Sequence, residues 1–211
     1  MSTHISGGDQ EQGVIVGNAF NKYDCKNPIV KWMMRNFHRN LEDLVKKSAP
    51  FSIHEVGCGE GFWVLHLNQQ GFNVKGSDFS NKVIDLAKQN ASNQQERNLF
   101  RVKSIYDLNQ KDDSADLIVC CEVLEHLQNP YLALQTLQKL VRKNLIISVP
   151  REPLWCFLNM LRLKYISNWG NTPGHIQHWS KNDFLKLVSL YFHVTAVRSP
   201  VPWTMLLCEP L

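Results

Sequence analysis

The sequence predicts an α/β fold: a seven-stranded, mostly parallel sheet with an antiparallel terminal hairpin and helices on both faces. Three observations carry this. From residue 50 onward, short apolar runs alternate with longer stretches of helical apolar spacing, the pattern of strand–helix–strand units. The run Ile53-His54-Glu55-Val56 leads into three glycines at alternate positions, Gly57, Gly59 and Gly61, which fits a sharp strand-to-helix turn with bare backbone facing a ligand. The last two apolar runs, about 192–198 and 203–208, are joined only by Ser199-Pro200-Val201-Pro202. A link that short cannot make a parallel crossover, so the final pair is expected to be antiparallel.

The elements follow in order. Residues 1–20 read as a loose arm. Asn27-Pro28 is a helix start, with Asn as N-cap and Pro at the first helical position. Ile29, Val30, Met33, Met34, Phe37, Leu41, Leu44 and Val45 then form a helical stripe that ends near Ser48-Ala49-Pro50. A strand over about 52–56 precedes a helix from about 61 to Gly71, a C-cap glycine. A second strand over 72–77 leads to a helix capped by Ser80, and a third spans about 99–104. Asp116-Leu117-Ile118-Val119-Cys120-Cys121 is the fourth strand. Asn129-Pro130 opens another helix, Asn144–Val149 form the fifth strand, and Ser180 caps a helix over Phe184, Leu185, Leu187 and Val188. Residues 1–49 thus read as an arm and helix, and residues 50–211 as one ligand-binding domain. A covering segment lies within that domain at about 150–179.

Composition narrows the class. A chain of 211 residues buries a full core without disulfide staples. The six cysteines lack metal-ligand spacing and read as reduced thiols of a cytoplasmic protein. Residues 1–13 contain no Lys or Arg and no apolar stretch, unlike a signal peptide. No apolar run approaches the roughly 20 residues that span a bilayer. The net charge is +4, with Lys and Arg scattered or in short pairs, which argues against nucleic acid as the partner.

Asp78 follows Gly57 by 21 residues, where a nucleotide-binding sheet places the carboxylate that takes a ribose diol. The dinucleotide pattern G-x-G-x-x-G would need a glycine at position 62, which is Phe62. The pattern Glu55-Val56-Gly57-Cys58-Gly59-Glu60-Gly61 instead resembles motif I of the class I S-adenosylmethionine (SAM)-dependent methyltransferases, whose sheet is Rossmann-like. The resemblance covers about residues 50–210. It implies that Gly57, Cys58 and Gly59 approach the methionine moiety and that Glu55 holds its ammonium. It also implies that Asp78 takes the ribose hydroxyls, that Phe79 packs on the adenine, and that Cys121 lines the cofactor. Many relatives carry an Asp after the third strand. Here Ser104 stands in its place, so adenine recognition would rest on the Ser104 hydroxyl and the Ile105 N–H.

The stretch Glu122-Val123-Leu124-Glu125-His126-Leu127 follows the fourth strand, at whose carboxyl end such sheets hold their ligands. It resembles the corresponding motif of the ubiquinone-pathway O-methyltransferases. It also resembles the E-x-x-E-H of small-RNA 3′-end 2′-O-methyltransferases, where two carboxylates and imidazoles hold a divalent cation. That second resemblance implies Glu122, Glu125 and His126 as ligands of Mg²⁺ or Mn²⁺, completed by His175 or His178. Without a metal, His126 or His175 would be the general base, and Glu122 or His126 would shape the pocket. The segment from Val149 to Trp179 is rich in apolar and aromatic residues, among them Trp155, Tyr165, His178 and Trp179. It reads either as an amphipathic helix on the sheet or as a lid over a small hydrophobic or aromatic acceptor. A lipid-like acceptor would be collected by peripheral membrane contact there. Asn18–Tyr23 would fold over the cofactor, with Tyr23 as a gate. The expected activity is methyl transfer from SAM to an acceptor hydroxyl. The alternatives are a metal-assisted RNA 2′-O-methyltransferase and a SAM-binding scaffold without activity.

Overall fold

The computed structural model describes residues 4–11, 14–18, 21, 25–161 and 168–211. Tyr23 and Tyr165, assigned above to a gate and a lid, lie outside the described residues. Gln10–Glu11 (β1) and Val14–Ile15 (β2) form a small antiparallel hairpin. Helix α1 spans Pro28–Ser48. The Asn27 side chain accepts from the Ile29 and Val30 N–H groups at 2.9 and 3.4 Å, which satisfies amides that the first turn would otherwise leave unpaired. Its apolar stripe, from Val30 through Met34, Phe37 and Leu41 to Leu44 and Val45, is buried.

The domain then alternates β3 (Ile53–Val56), α2 (Phe62–Gln69), β4 (Val74–Asp78), α3 (Asn81–Asn90), α4 (Gln94–Arg97), β5 (Phe100–Val102), α5 (Gln110–Asp113) and β6 (Ala115–Cys121). It continues through α6 (Pro130–Leu140), β7 (Val141–Pro150), α7 (Leu154–Leu161), α8 (Lys181–Ser189), β8 (Phe192–Arg198) and β9 (Trp203–Pro210). Ser80, Asn129 and Ser180 each cap their helix through a side-chain oxygen. Strand β7 starts three residues before the apolar run that predicted it, because Val141 pairs directly with Ala115 as α6 ends.

Among the described residues seven strands form one sheet in the order β5-β4-β3-β6-β7-β9-β8. Strands β3 to β7 pair in parallel, and β9 lies antiparallel between β7 and β8. The chain enters at β3, builds outward to β5, then returns to place β6 on the other side of β3. That reversal opens a crevice at the carboxyl ends of β3 and β6. One apolar core lies between the sheet and helices α1 to α3, and a second lies under α6 and α8. No helix among the described residues is long and apolar enough to cross a membrane.

His54 pins the sheet beneath this crevice. Its Nδ1 lies 2.7 Å from the Asp113 carbonyl oxygen and its Nε2 lies 2.9 Å from the Ser77 hydroxyl. A carbonyl only accepts, so Nδ1 carries the proton and Nε2 accepts from Ser77. Burial pushes the imidazole down from 6.5 to about 4. Above 6.5 neither the folded nor the unfolded chain protonates this ring. Between 6.5 and 4 the unfolded chain takes up a proton that the folded one refuses, so stability falls as the pH falls. The expected loss from His54 between pH 7.5 and 5 is on the order of 2 kcal/mol. Urea unfolding of the parent and His54→Asn at both pH values checks it; parallel pH dependences would remove His54 as the cause.

Candidate active site

The crevice is a cavity of about 790 Å³. All nine residues assigned to the cofactor line it: Glu55, Gly57, Cys58, Gly59, Asp78, Phe79, Ser104, Ile105 and Cys121. The glycine loop is drawn against β4, with the Gly57 and Cys58 N–H groups donating to the Ser77 carbonyl at 2.7 and 3.0 Å. Gly57 has φ 75°, and a Cβ there would overlap Val123 Cγ2. Asp78 is aimed by two backbone donors, Gly59 N at 3.1 Å and Ser80 N at 3.0 Å. Desolvation pushes its carboxyl up, and these N–H groups oppose that rise by favouring the charged form. A half-buried carboxylate with remaining acceptor capacity suits a diol. Ser104 caps the turn at 105–107, accepting from the Tyr106 N–H at 3.3 Å.

The other end of the cavity is built where β6 ends. The turn at 124–127 is stitched to the chain after α7. The Ile176 and Gln177 N–H groups donate to the Glu125 carbonyl at 2.9 and 3.0 Å, and Gln177 Nε2 donates to the Leu127 carbonyl at 3.1 Å. This brings His175 against His126, ring centroids 4.9 Å apart. One ligand atom each from Glu125, His126 and His175 falls within 4.8 Å of the others. The His126 Nδ1 lies 2.9 Å from the Gly174 carbonyl oxygen, so Nδ1 carries the proton and Nε2 the lone pair. Burial first, and then the imidazoles of His126 and His178, push His175 down to about 3, so it is neutral at neutral pH.

Three expectations are corrected. Glu122 does not join this cluster. It adopts a left-handed φ of 61°, and its carboxylate accepts from the Ser148 hydroxyl at 3.0 Å and the Trp203 indole N–H at 2.6 Å. It lines the cavity as an anchor for Trp203. His178 lies outside the cavity wall, its Nδ1 3.5 Å from Glu152. Trp179 likewise faces away from the cavity and packs against Phe184. The hydrogen bonds from the Ile176 and Gln177 N–H groups to the Glu125 carbonyl hold His175 at the cavity, and His178 and Trp179, further along the segment, meet Glu152 and Phe184 instead. The anchoring role of Glu122 predicts that Glu122→Gln, whose amide oxygen still accepts, keeps the Trp203 indole N–H protected from solvent exchange. Glu122→Ala is expected to lose that protection, read by NMR of the indole; equal behaviour of the two would discard the anchor.

Trp203 was not foreseen as a site residue. Its ring packs edge-on against Phe37 at 5.0 Å and lies tilted against Trp155 at 5.8 Å. Trp155 in turn lies 5.8 Å from His175, and its indole N–H donates to Thr172 Oγ1 at 2.9 Å. With Met33, Met34 and Phe37 of α1, these rings wall the chamber beside the cluster. In the sequence the α1 residues read as plain core stripe, and a Trp after a proline turn carries no local signal of a site.

A sheet of this order, with a glycine loop and a strand-end carboxylate facing one cavity, defines the class I SAM-dependent methyltransferases. Residues 54–148 match the family described as methyltransferase domain, and the sheet is that of the class I SAM-dependent methyltransferase fold. It is similar to a ubiquinone biosynthesis O-methyltransferase of Rickettsia bellii, with 27% identity over 169 residues, 78% of this chain and 67% of that one. The fold is shared with magnesium protoporphyrin IX methyltransferase of Synechocystis PCC 6803, solved with bound S-adenosylhomocysteine (SAH): TM-score 0.65, 19% identity, 89% of each chain. It is shared as well with the methyltransferase domain of a bacterial Hen1: TM-score 0.64, 20% identity, 84% of this chain and 99% of that one.

Proposed function

We propose that this methyltransferase methylates a hydroxyl of a small hydrophobic or aromatic acceptor, with His126 as general base. One observation carries the reading. The His126 lone-pair nitrogen belongs to a cavity whose other end is the cofactor wall and whose sides are the rings of Trp155, Trp203 and Phe37. Planar apolar walls with a few convergent polar groups suit an aromatic ring bearing a hydroxyl. The similarity to ubiquinone biosynthesis O-methyltransferases supports the same reaction. Helices α1 and α7 also expose Ile29, Trp32, Phe157 and Leu161, which suits collection of a lipid-like acceptor at a membrane surface.

Bound SAM supplies a methyl group already activated by its sulfonium, with the thioether of SAH as leaving group. The chain has to align the acceptor oxygen, exclude water and take the hydroxyl proton at His126 Nε2. Alignment contributes up to about 7–11 kcal/mol in well-oriented systems, and proton removal about 10²–10⁴-fold.

A second reading rests on the Glu125, His126 and His175 cluster. One carboxylate and two imidazoles suit Mn²⁺ better than Mg²⁺. A cation held there would acidify the hydroxyl in place of a base. The experiment is SAM turnover with catechols, phenols, hydrophobic alcohols and a ribo-oligonucleotide, with and without EDTA, read by mass for one added methyl. Methylation of a phenolic or catechol hydroxyl that survives EDTA supports the base. Loss with EDTA supports the cation. Methylation of the oligonucleotide alone, or no SAH formed with any acceptor, would sink the small-molecule reading.

A further inference from the structure

The N-terminal arm is docked on the two loops that build the cofactor end of the cavity. Glu60 sits between Gly59 and Gly61 and is 2% exposed. Its Oε1 accepts from the Ser6 N–H at 3.2 Å and the Asn18 N–H at 2.7 Å, and its Oε2 accepts from Asn18 Nδ2 at 2.5 Å. A carboxylate removed from water needs such donors, and the arm supplies these three. The fit is close. Gly17 has φ 62°, and a Cβ there would overlap Glu60 Oε1.

A second attachment lies on the ribose side. Glu11, on β1, accepts from the Ser80 hydroxyl at 2.5 Å. Its other oxygen lies 3.4 Å from the Asn81 N–H at the start of α3. The arm holds its own shape through Gly7 N to the Asn18 carbonyl, Val16 N to the Asp9 carbonyl, and Ser6 Oγ to the Val16 carbonyl. Between the two attachments, Val16, Gly17 and Asn18 line the cavity beside Gly59 and Asp78.

We infer that residues 4–11 and 14–18 belong to a strap forming one wall of the cofactor site, latched by Glu60 and Ser80, and that it lifts when SAM enters and SAH leaves. Glu60 is thereby a positioning residue, acting on the cofactor through Val16–Asn18. The inference rests on the reading of this end of the cavity as the cofactor site. A strap latched in the ligand-free chain has to release its hydrogen bonds to the buried carboxylate for entry and for departure alike, so a loosened latch speeds both.

The test is SAH binding to the full chain, as parent, Gly17→Ala and Asn18→Ala. Both substitutions act from the strap side and leave the glycine loop intact. Stopped-flow displacement is expected to show SAH release at least about tenfold faster in each variant, the weight of one hydrogen bond to a charged group. Association should quicken as well, and unliganded melting temperatures should fall by only about 2–8 °C, the weight of about 1–2 kcal/mol of strap contacts. In the parent, SAH should also slow exchange of the Val16 and Asn18 amides. Parental release rates in both variants, or amide exchange that SAH does not slow, would overturn the strap. A parent that fails to bind SAH at all would show at the first titration and would overturn the cofactor reading together with it.

Discussion

Replacing His126 by alanine is expected to lower turnover by about 10²–10⁴-fold while leaving SAH affinity at the parental value. The Gly174 carbonyl fixes the Nδ1 proton, so the ring presents its lone pair at Nε2 in one orientation. His175 does not share the task equally, since burial and its imidazole neighbours hold it near a pKa of about 3, where an imidazole is a weak proton acceptor. His126→Ala at the parental rate, with the acceptor identified in the turnover screen, would remove it as the base. Unchanged SAH affinity is the necessary companion result, because the cofactor wall is carried by β3 and β4 and the imidazole by the turn after β6.

The second large effect belongs to the glycine loop. Gly57→Ala meets two penalties together. Its φ of 75° disfavours a side chain by about 1–2 kcal/mol. The new Cβ overlaps Val123 Cγ2, which sits in the turn that carries Glu122 and Glu125, and forcing a methyl into a packed site costs about 1–3 kcal/mol. A total of about 2–5 kcal/mol corresponds to a fall in Tm of about 4–20 °C for a domain of this size, with SAH affinity lost as the loop shifts. Gly59→Ala separates the causes. Its φ is 52° and a Cβ would meet nothing within 4 Å, so stability should fall by only about 1–2 kcal/mol. Its cost would appear in SAH affinity, where the added methyl stands between backbone and ligand. Thermal melts with SAH titrations of both variants decide this. Equal melting temperatures for the two would discard the Val123 contact as the cause.

The meeting of the glycine loop with Asp78 was legible because the pattern is local. Three glycines at alternate positions follow a buried strand, and Asp78 ends the next one, so the two meet wherever those strands pair in parallel. Asn27, Ser80, Asn129 and Ser180 announced their helices because an N-cap side chain satisfies amides two or three residues away. The proline-bearing link before Trp203 announced the antiparallel end of the sheet by its length alone.

The arm was misread for the complementary reason. A polar segment without periodicity looks loose until its partner is known, and the partner of Ser6 is Glu60, 54 residues on. Glu122 read as a ligand beside Glu125 and His126, yet its left-handed backbone turns its carboxylate to Trp203, 81 residues away. His175 and His178 were both offered as the imidazole that completes the metal set. The hydrogen bonds from Ile176 and Gln177 to the Glu125 carbonyl choose His175. By itself the sequence determined the sheet, its caps and the meeting of the glycine loop with Asp78 at one cavity, because those depend on hydrogen bonds and sterics within a few residues or on adjacent strands. Only the tertiary structure decided which imidazole meets His126, what Glu122 holds and where the arm docks. Those outcomes depend on side chains brought together across the fold, where burial leaves a carboxylate or an indole N–H no choice but the partner that packing provides.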